Sequence, residues 1–162
     1  MLFKDPAATG RVAVSASPEA AYRVISDPPL MAGLAAETVG ARWLDGAGHA
    51  EVGARFRGYN RNGFRRWATT CEVLEADPGR RFSYFVRAPL RVPISRWQYD
   101  IAPGEDGGCV ITETNWIKVP LWFIPFAILI TGIANRPGAN QDHIATTLER
   151  LKAHLEGAPA PA

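Results

Sequence analysis

Glu113 stands in a run of strand-forming residues, Cys109-Val-Ile-Thr-Glu-Thr-Asn-Trp-Ile-Lys-Val119. A carboxyl group on an apolar inner wall loses hydration, so its proton is held to higher pH and it can serve as acid or base near neutrality. The structural alternative is a Glu bonded to Tyr99, Trp97 or an arginine, or one on the outer face of its strand. Tyr84, Tyr99, Asn115 and Trp67 also carry a polar tip on a larger body. They can orient a ligand or simply satisfy one another inside the protein.

Other chemistries find no support. Cys71 and Cys109 lie in strand-like runs without neighbours at metal-ligand spacing, which predicts two reduced, buried thiols. His49 sits in a Gly-rich turn, and His143 and His154 are eleven residues apart, so no metal is expected. No Gly-rich phosphate loop precedes a helix, and there is no Gly-x-Ser-x-Gly elbow or paired-carboxylate motif. No cofactor is expected.

The elements that must position these side chains are mostly strands. Alternation and turn residues mark strands at 11–15, 39–44, 53–59, 67–76, 81–86, 95–101 and 109–119. Short turns between them argue for an antiparallel sheet. Ser17-Pro18-Glu19 opens a helix that Asp27-Pro-Pro29 ends, and 30–35 reads as a second short helix. Ile144, Leu148, Leu151 and Leu155 keep one face of a last helix, which from Asn140 is ~24 Å long at ~1.5 Å per residue. Because alternate strand residues share a face, the inward sets are Trp97, Tyr99 and Ile101; Phe82, Tyr84 and Val86; Trp67, Thr69, Cys71 and Val73; and Ala54, Phe56, Gly58 and Asn60. In the last strand apolarity does not choose between the set of Glu113 and that of Thr112.

A chain of 162 residues, 47% hydrophobic and with net charge +2, is most simply one domain without a global pull toward nucleic acid. Ten of fifteen arginines lie between Arg55 and Arg96 against three acids, which reads as a solvated outer sheet face. The N-terminus lacks a basic region followed by an apolar one, so a cytoplasmic protein is expected. A charge-free run of 17 residues, Val119 to Asn135, contains Pro120 and Pro125. It is at the low edge of what crosses ~30 Å of hydrocarbon, and proline in its interior favours a pocket-lining segment over a span. Its apolar cluster also suits peripheral contact with a membrane surface.

The order of strand, two helices, antiparallel strands and long helix resembles the START-like helix-grip fold, in the SRPBCC or polyketide cyclase/dehydrase superfamily. The segments Val52-Gly-Ala-Arg-Phe-Arg-Gly-Tyr-Asn-Arg-Asn-Gly63 with Trp67-Ala-Thr-Thr70, Val73-Leu-Glu-Ala-Asp-Pro-Gly-Arg-Arg-Phe82 and Thr147-Leu-Glu-Arg-Leu-Lys152 carry the likeness. It implies an α+β domain over 1–156: a curved antiparallel sheet of about seven strands wrapped around a long C-terminal helix, two short helices after strand one, and a disordered tail over 157–162. It also implies an apolar cavity between sheet and helix, with Ile111, Glu113 and Asn115 turned toward it. Phe56, Trp67, Thr69, Cys71, Phe82, Tyr84, Trp97, Tyr99 and Asn115 are then cavity residues. Pro137-Gly138 departs from the family's pattern, so a break or kink is expected there, with Trp122, Phe126 and Ile130 on a separate short helix over the cavity mouth.

The expected partner is a hydrophobic small molecule, such as a lipid, quinone or polyketide-like aromatic. An alternative is a cyclase, aromatase or dehydratase that uses Glu113 for proton transfer. A third reading is a non-catalytic module for a membrane surface or a protein partner.

Overall fold

The computed structural model describes residues 4–157. Past Gly157, the expected tail lies outside the described residues. Strand β1 (Ala8–Val14) leads through α1 (Pro18–Ile25) and α2 (Pro28–Ala32) into β2 (Thr38–Trp43), β3 (Arg55–Asn62), β4 (Arg65–Asp77), β5 (Arg81–Arg87), β6 (Pro93–Pro103) and β7 (Cys109–Ile117). Helices α3 (Ile124–Thr131) and α4 (Arg136–Leu155) follow. The strands form one antiparallel sheet in the order β1-β7-β6-β5-β4-β3-β2, so the first strand closes against the last. This is the expected α+β helix-grip arrangement.

Local chemistry sets the helix starts. Ser17 Oγ accepts from the Ala20 N–H at 3.1 Å, with Pro18 at the first helical position. Asp27 does the same for Leu30 at 3.4 Å, so Asp27-Pro-Pro29 begins α2 rather than only closing α1. The second short helix therefore lies earlier than expected. Asn135 caps α4 through the Gly138 N–H at 3.2 Å. The Pro137-Gly138 pair therefore lies in the first turn of the long helix, and the expected break falls just before it, between Thr131 and Arg136; a β-carbon at Gly138 would collide with the capping Asn135 amide. Gly132, at φ +74, ends α3 in the left-handed region and separates the two helices.

Helix α4 lies over β1 and β7. A Cβ on Gly10 of β1 would stand 2.7 Å from Ile144 Cγ2, so glycine sets how closely the helix approaches. Ile144 and Leu151 are fully buried there, and Leu148 is buried as well. The stripe is wider than its apolar residues, since Asn140 and Thr147 are buried on the same helix. Across the rest of the sheet no helix presses down as closely, and space remains.

The outer face carries ion pairs. Arg81 meets Asp100 at 2.6 Å and Glu75 at 3.3 Å, Arg96 meets Glu75 at 2.9 Å, and Arg87 meets Glu72 at 3.1 Å. Its donors, Ser83 first and then Arg81, hold the Glu75 carboxyl below its ordinary range. Within the arginine-rich segment Arg81, Arg87 and Arg96 thus form a paired, half-exposed patch in the middle of the sheet's outer face. Cys71 and Cys109 are free and buried.

Candidate functional site

Between the sheet, α3 and α4 lies a cavity of about 820 Å³. Its wall is built in cross-strand rows, because inward-facing residues at equal register stand side by side. One row runs Glu113–Tyr99–Phe82, and in the next Trp97 and Tyr84 face the cavity while Asn115 and Val73 at the row's two ends do not line it. A third runs Ile117–Ser95–Val86–Cys71–Phe56. The alternation read from each strand therefore fixes the wall, and the last strand adopts the phase that turns Glu113 inward.

Phe56, Trp67, Thr69, Cys71, Phe82, Tyr84, Trp97, Tyr99, Glu113 and Ile130 all line the cavity. Phe56 meets Tyr84 edge-on at 5.2 Å, and Phe82 lies 5.7 Å from Tyr84. Trp97 Nε1 donates to Ser95 Oγ at 3.1 Å, leaving its ring as wall. Three predicted cavity residues lie elsewhere. Asn115 is fully buried behind the wall: its Nδ2 donates to the Arg96 carbonyl at 3.2 Å and its Oδ1 accepts from Asn140 at 2.7 Å. Its amide ties β7 to β6 and α4, and it is not among the residues that line the cavity. Trp122 and Phe126 face away from the cavity, 64% and 54% exposed. The run that contains them is apolar on every side, so its sequence carried no phase. The expected short helix does stand at the cavity, and Phe123, Ile124, Ala127, Ile128, Ile130 and Thr131 are its lining residues.

Glu113 is only 3% exposed. Its Oε1 accepts from the Tyr99 hydroxyl at 2.8 Å, while Oε2 has no hydrogen-bond partner among the described residues. Burial pushes its pKa up to about 8, partly opposed by the Tyr99 hydrogen bond. At neutral pH the carboxyl is therefore mainly protonated and neutral. Tyr84 makes no hydrogen bond among the described residues, and burial raises its pKa well above the ordinary value. Tyr99 is raised in the same way. Burial pushes the Cys71 thiol up to about 12, so it is no nucleophile.

A second polar group on the wall was not foreseen. Arg136 Nη1 donates to both Glu37 carboxylate oxygens, at 2.7 and 3.1 Å, and His143 Nδ1 lies 3.8 Å from Glu37 Oε2. All three line the cavity. Their 99-residue separation hid the ion pair, although Asn135 ahead of Pro137 was a readable helix start that would have put Arg136 in the first turn. Thr38, Asn60 and Thr69 add a hydrogen-bonded chain, with Thr38 Oγ1 donating to Asn60 at 2.9 Å and Asn60 Nδ2 to Thr69 at 3.4 Å. Among the described residues no group of three or more His, Cys, Asp or Glu is placed to hold a metal ion, and no helix is long and apolar enough to cross a membrane.

Residues 6–156 match the family described as Polyketide cyclase / dehydrase and lipid transport. The chain belongs to this family. Its solved relatives share the architecture at low identity. Protein CV1439 from Chromobacterium violaceum is 21% identical at a TM-score of 0.65, over 92% of this chain and 98% of that one. The di-domain ARO/CYC StfQ from the steffimycin biosynthetic pathway reaches a TM-score of 0.70 at 12% identity, over 92% of this chain and 50% of StfQ. DynU16, described as a putative protein in the dynemicin biosynthetic locus, matches at 15% identity and a TM-score of 0.62, over 96% of this chain and 49% of its own. No curated protein matches the chain.

Proposed function

We propose that this member of the family binds a hydrophobic small molecule with at least one carbonyl or similar acceptor oxygen, such as a quinone or a polyketide-like aromatic. The carrying observation is the half-satisfied Glu113 carboxyl in an otherwise mostly apolar cavity of about 820 Å³. A buried carboxylic acid at neutral pH is a hydrogen-bond donor, and one with an idle oxygen leaves a partner's place open. The volume lies in the ~300–1,000 Å³ range of small-molecule sites. Bare alkanes would fill the space but leave Glu113 unsatisfied.

The test is displacement of a lipophilic fluorescent probe by a panel of polycyclic quinones and matched hydrocarbons. The expected result is tighter displacement by the carbonyl compounds, with the preference lost in Glu113→Leu, which has no donor, and largely kept in Glu113→Gln, whose amide N–H can take the acid's place. Equal affinity for both series, or no displacement by either, overturns the reading.

A second reading is catalytic: the same Glu113 passing a proton to or from a bound polyketone during cyclisation or dehydration. A carboxyl with a pKa near 8 beside a tyrosine hydroxyl supports it, as does the aromatase/cyclase title of StfQ. Incubation with a reactive linear polyketone analogue should give a cyclised product at a rate that Glu113→Gln lowers about 10²–10⁴-fold. Binding without turnover leaves the carrier reading.

A further inference from the structure

The two ends of the sheet differ in chemistry. At one end lie the β3–β4 hairpin, the β5–β6 loop and the passage from β7 to α3, since Asn62 pairs Arg65, Arg87 pairs Pro93 and Ser95 pairs Ile117. The cavity's exposed lining residues Lys4, Pro89 and Ile130 belong to this end. Large apolar side chains stand out from it: Leu90 is 97% exposed, Phe64 86%, Leu129 71% and Trp122 64%. None of these four lines the cavity.

The charges at this end are mostly basic. Arg61 and Arg66 flank the hairpin tip on the outer face, and Arg91 lies beside Leu90. These three are exposed and make no ion pair among the described residues. Arg65 donates to the Leu129 carbonyl at 3.2 Å and stacks on Phe64 at 4.8 Å, joining hairpin to helix. The nearby acids are Asp5, beside Lys4, and Glu37, held by Arg136. The opposite end inverts this pattern: its β2–β3, β4–β5 and β6–β7 connections carry Glu51, Glu105 and Asp106 against Arg80, with Asp45 there held by Arg55 at 2.8 Å.

We infer that the α3 end is a docking surface for an anionic lipid bilayer, with Trp122, Leu129, Leu90 and Phe64 entering the interface and Arg61, Arg66 and Arg91 meeting lipid phosphates. Interfacial binding needs this combination of protruding Trp, Phe and Leu with flanking arginines. The acidic far end orients the molecule, because a negative surface attracts one pole and repels the other. Helix α3 is apolar on both its cavity side and its outer side, a composition suited to being covered on both. The inference does not depend on what fills the cavity, since these side chains lie outside it.

The experiment is flotation of the ligand-free protein with phosphatidylcholine vesicles and with vesicles containing phosphatidylglycerol. Binding is expected to the anionic vesicles and to weaken as salt is raised. The triple variant Arg61→Glu/Arg66→Glu/Arg91→Glu should lose roughly a hundredfold in partitioning. The double variant Trp122→Ser/Leu129→Ser should lose about tenfold or more while keeping the wild-type melting transition. Salt dependence of the unaltered protein supplies a readout should either variant fail to fold. No binding to anionic vesicles, or binding indifferent to salt, overturns the inference. So does a dimer that Trp122→Ser/Leu129→Ser splits, since a second copy would then be the occupant. Probe displacement from the cavity should be unchanged in both variants, which separates this result from the ligand reading.

Discussion

The Tyr99 hydroxyl donates to one oxygen of Glu113 at 2.8 Å, and the other oxygen faces no partner. The two residues sit directly opposite on β6 and β7, so strand register, not a flexible loop, fixes the contact. Burial costs the ionised carboxyl more than this one bond returns, and the proton stays on to a pH near 8.

That shift predicts a pH dependence of stability with a definite sign. Below the unfolded value of about 4.5 both states hold the proton and Glu113 contributes no slope. Between about 4.5 and about 8 the unfolded chain has released it and the folded protein has not, so stability falls as pH rises, by on the order of 5 kcal/mol in all. Above that range the loss levels off. Glu113→Gln should remove this component, leaving the variant more stable than the parent at pH 9 by denaturant titration. Parallel curves for the two proteins across this window would show that Glu113 titrates normally.

Tyr99→Phe isolates the hydrogen bond. The bond favours the ionised carboxyl, so its removal should raise the Glu113 pKa further and leave both carboxyl oxygens idle. Carboxyl-carbon chemical shifts of labelled glutamate followed with pH would report the move directly. A downward move would mean that Tyr99 accepts from a protonated Glu113 instead of donating.

The strand faces were legible because each strand alternates: Trp97, Tyr99 and Ile101 inside, Arg96, Gln98 and Asp100 outside. Glu113 was legible only in part, since apolarity alone left its strand's phase open and the resemblance to a family suggested it. Asn115 shared the predicted phase yet lies fully buried off the cavity, because its amide is drawn to Asn140, read only as a residue near the start of the last helix, and to the Arg96 carbonyl. Glu37, Arg136 and His143 were invisible as a group: long-range pairing brings together residues whose local sequence reads as loop and helix ends. Trp122 and Phe126 were misplaced for a different reason. A helix apolar all round has no hydrophobic phase, so only tertiary packing decides which side faces the cavity.

The Asn115–Asn140 bond predicts a stability effect without a role in ligand contact. Asn140→Leu leaves the fully buried Asn115 Oδ1 without its donor, which should cost about 1–3 kcal/mol in urea unfolding. A loss confined to ligand affinity, with unchanged stability, would contradict the clamp.

Gly10 makes a steric prediction. A Cβ there would meet Ile144 Cγ2 at 2.7 Å and Leu148 Cδ1 at 3.3 Å, so Gly10→Ala should destabilise by about 1–3 kcal/mol through overpacking of α4 on β1. Ile144→Ala empties the space the new methyl needs. The double variant Gly10→Ala/Ile144→Ala should therefore be more stable than the two single effects predict, a coupling that thermal melts can resolve. Strict additivity would place the helix farther from the strand than the packing requires.

Tyr84→Phe addresses the chemistry of the cavity most directly. Its hydroxyl makes no hydrogen bond among the described residues, and its ring is fixed between Phe56 and Phe82. Removing the oxygen leaves the wall's shape intact and takes away no hydrogen bond within the protein, so stability should change little. A ligand oxygen that receives this hydroxyl should lose about tenfold in affinity, on the scale of one hydrogen bond, whereas a hydrocarbon of the same shape should lose nothing. Displacement titrations with the paired probes give both numbers. Equal losses for quinone and hydrocarbon would point to altered packing, and no loss for either would leave Glu113 as the group that selects a ligand's oxygen.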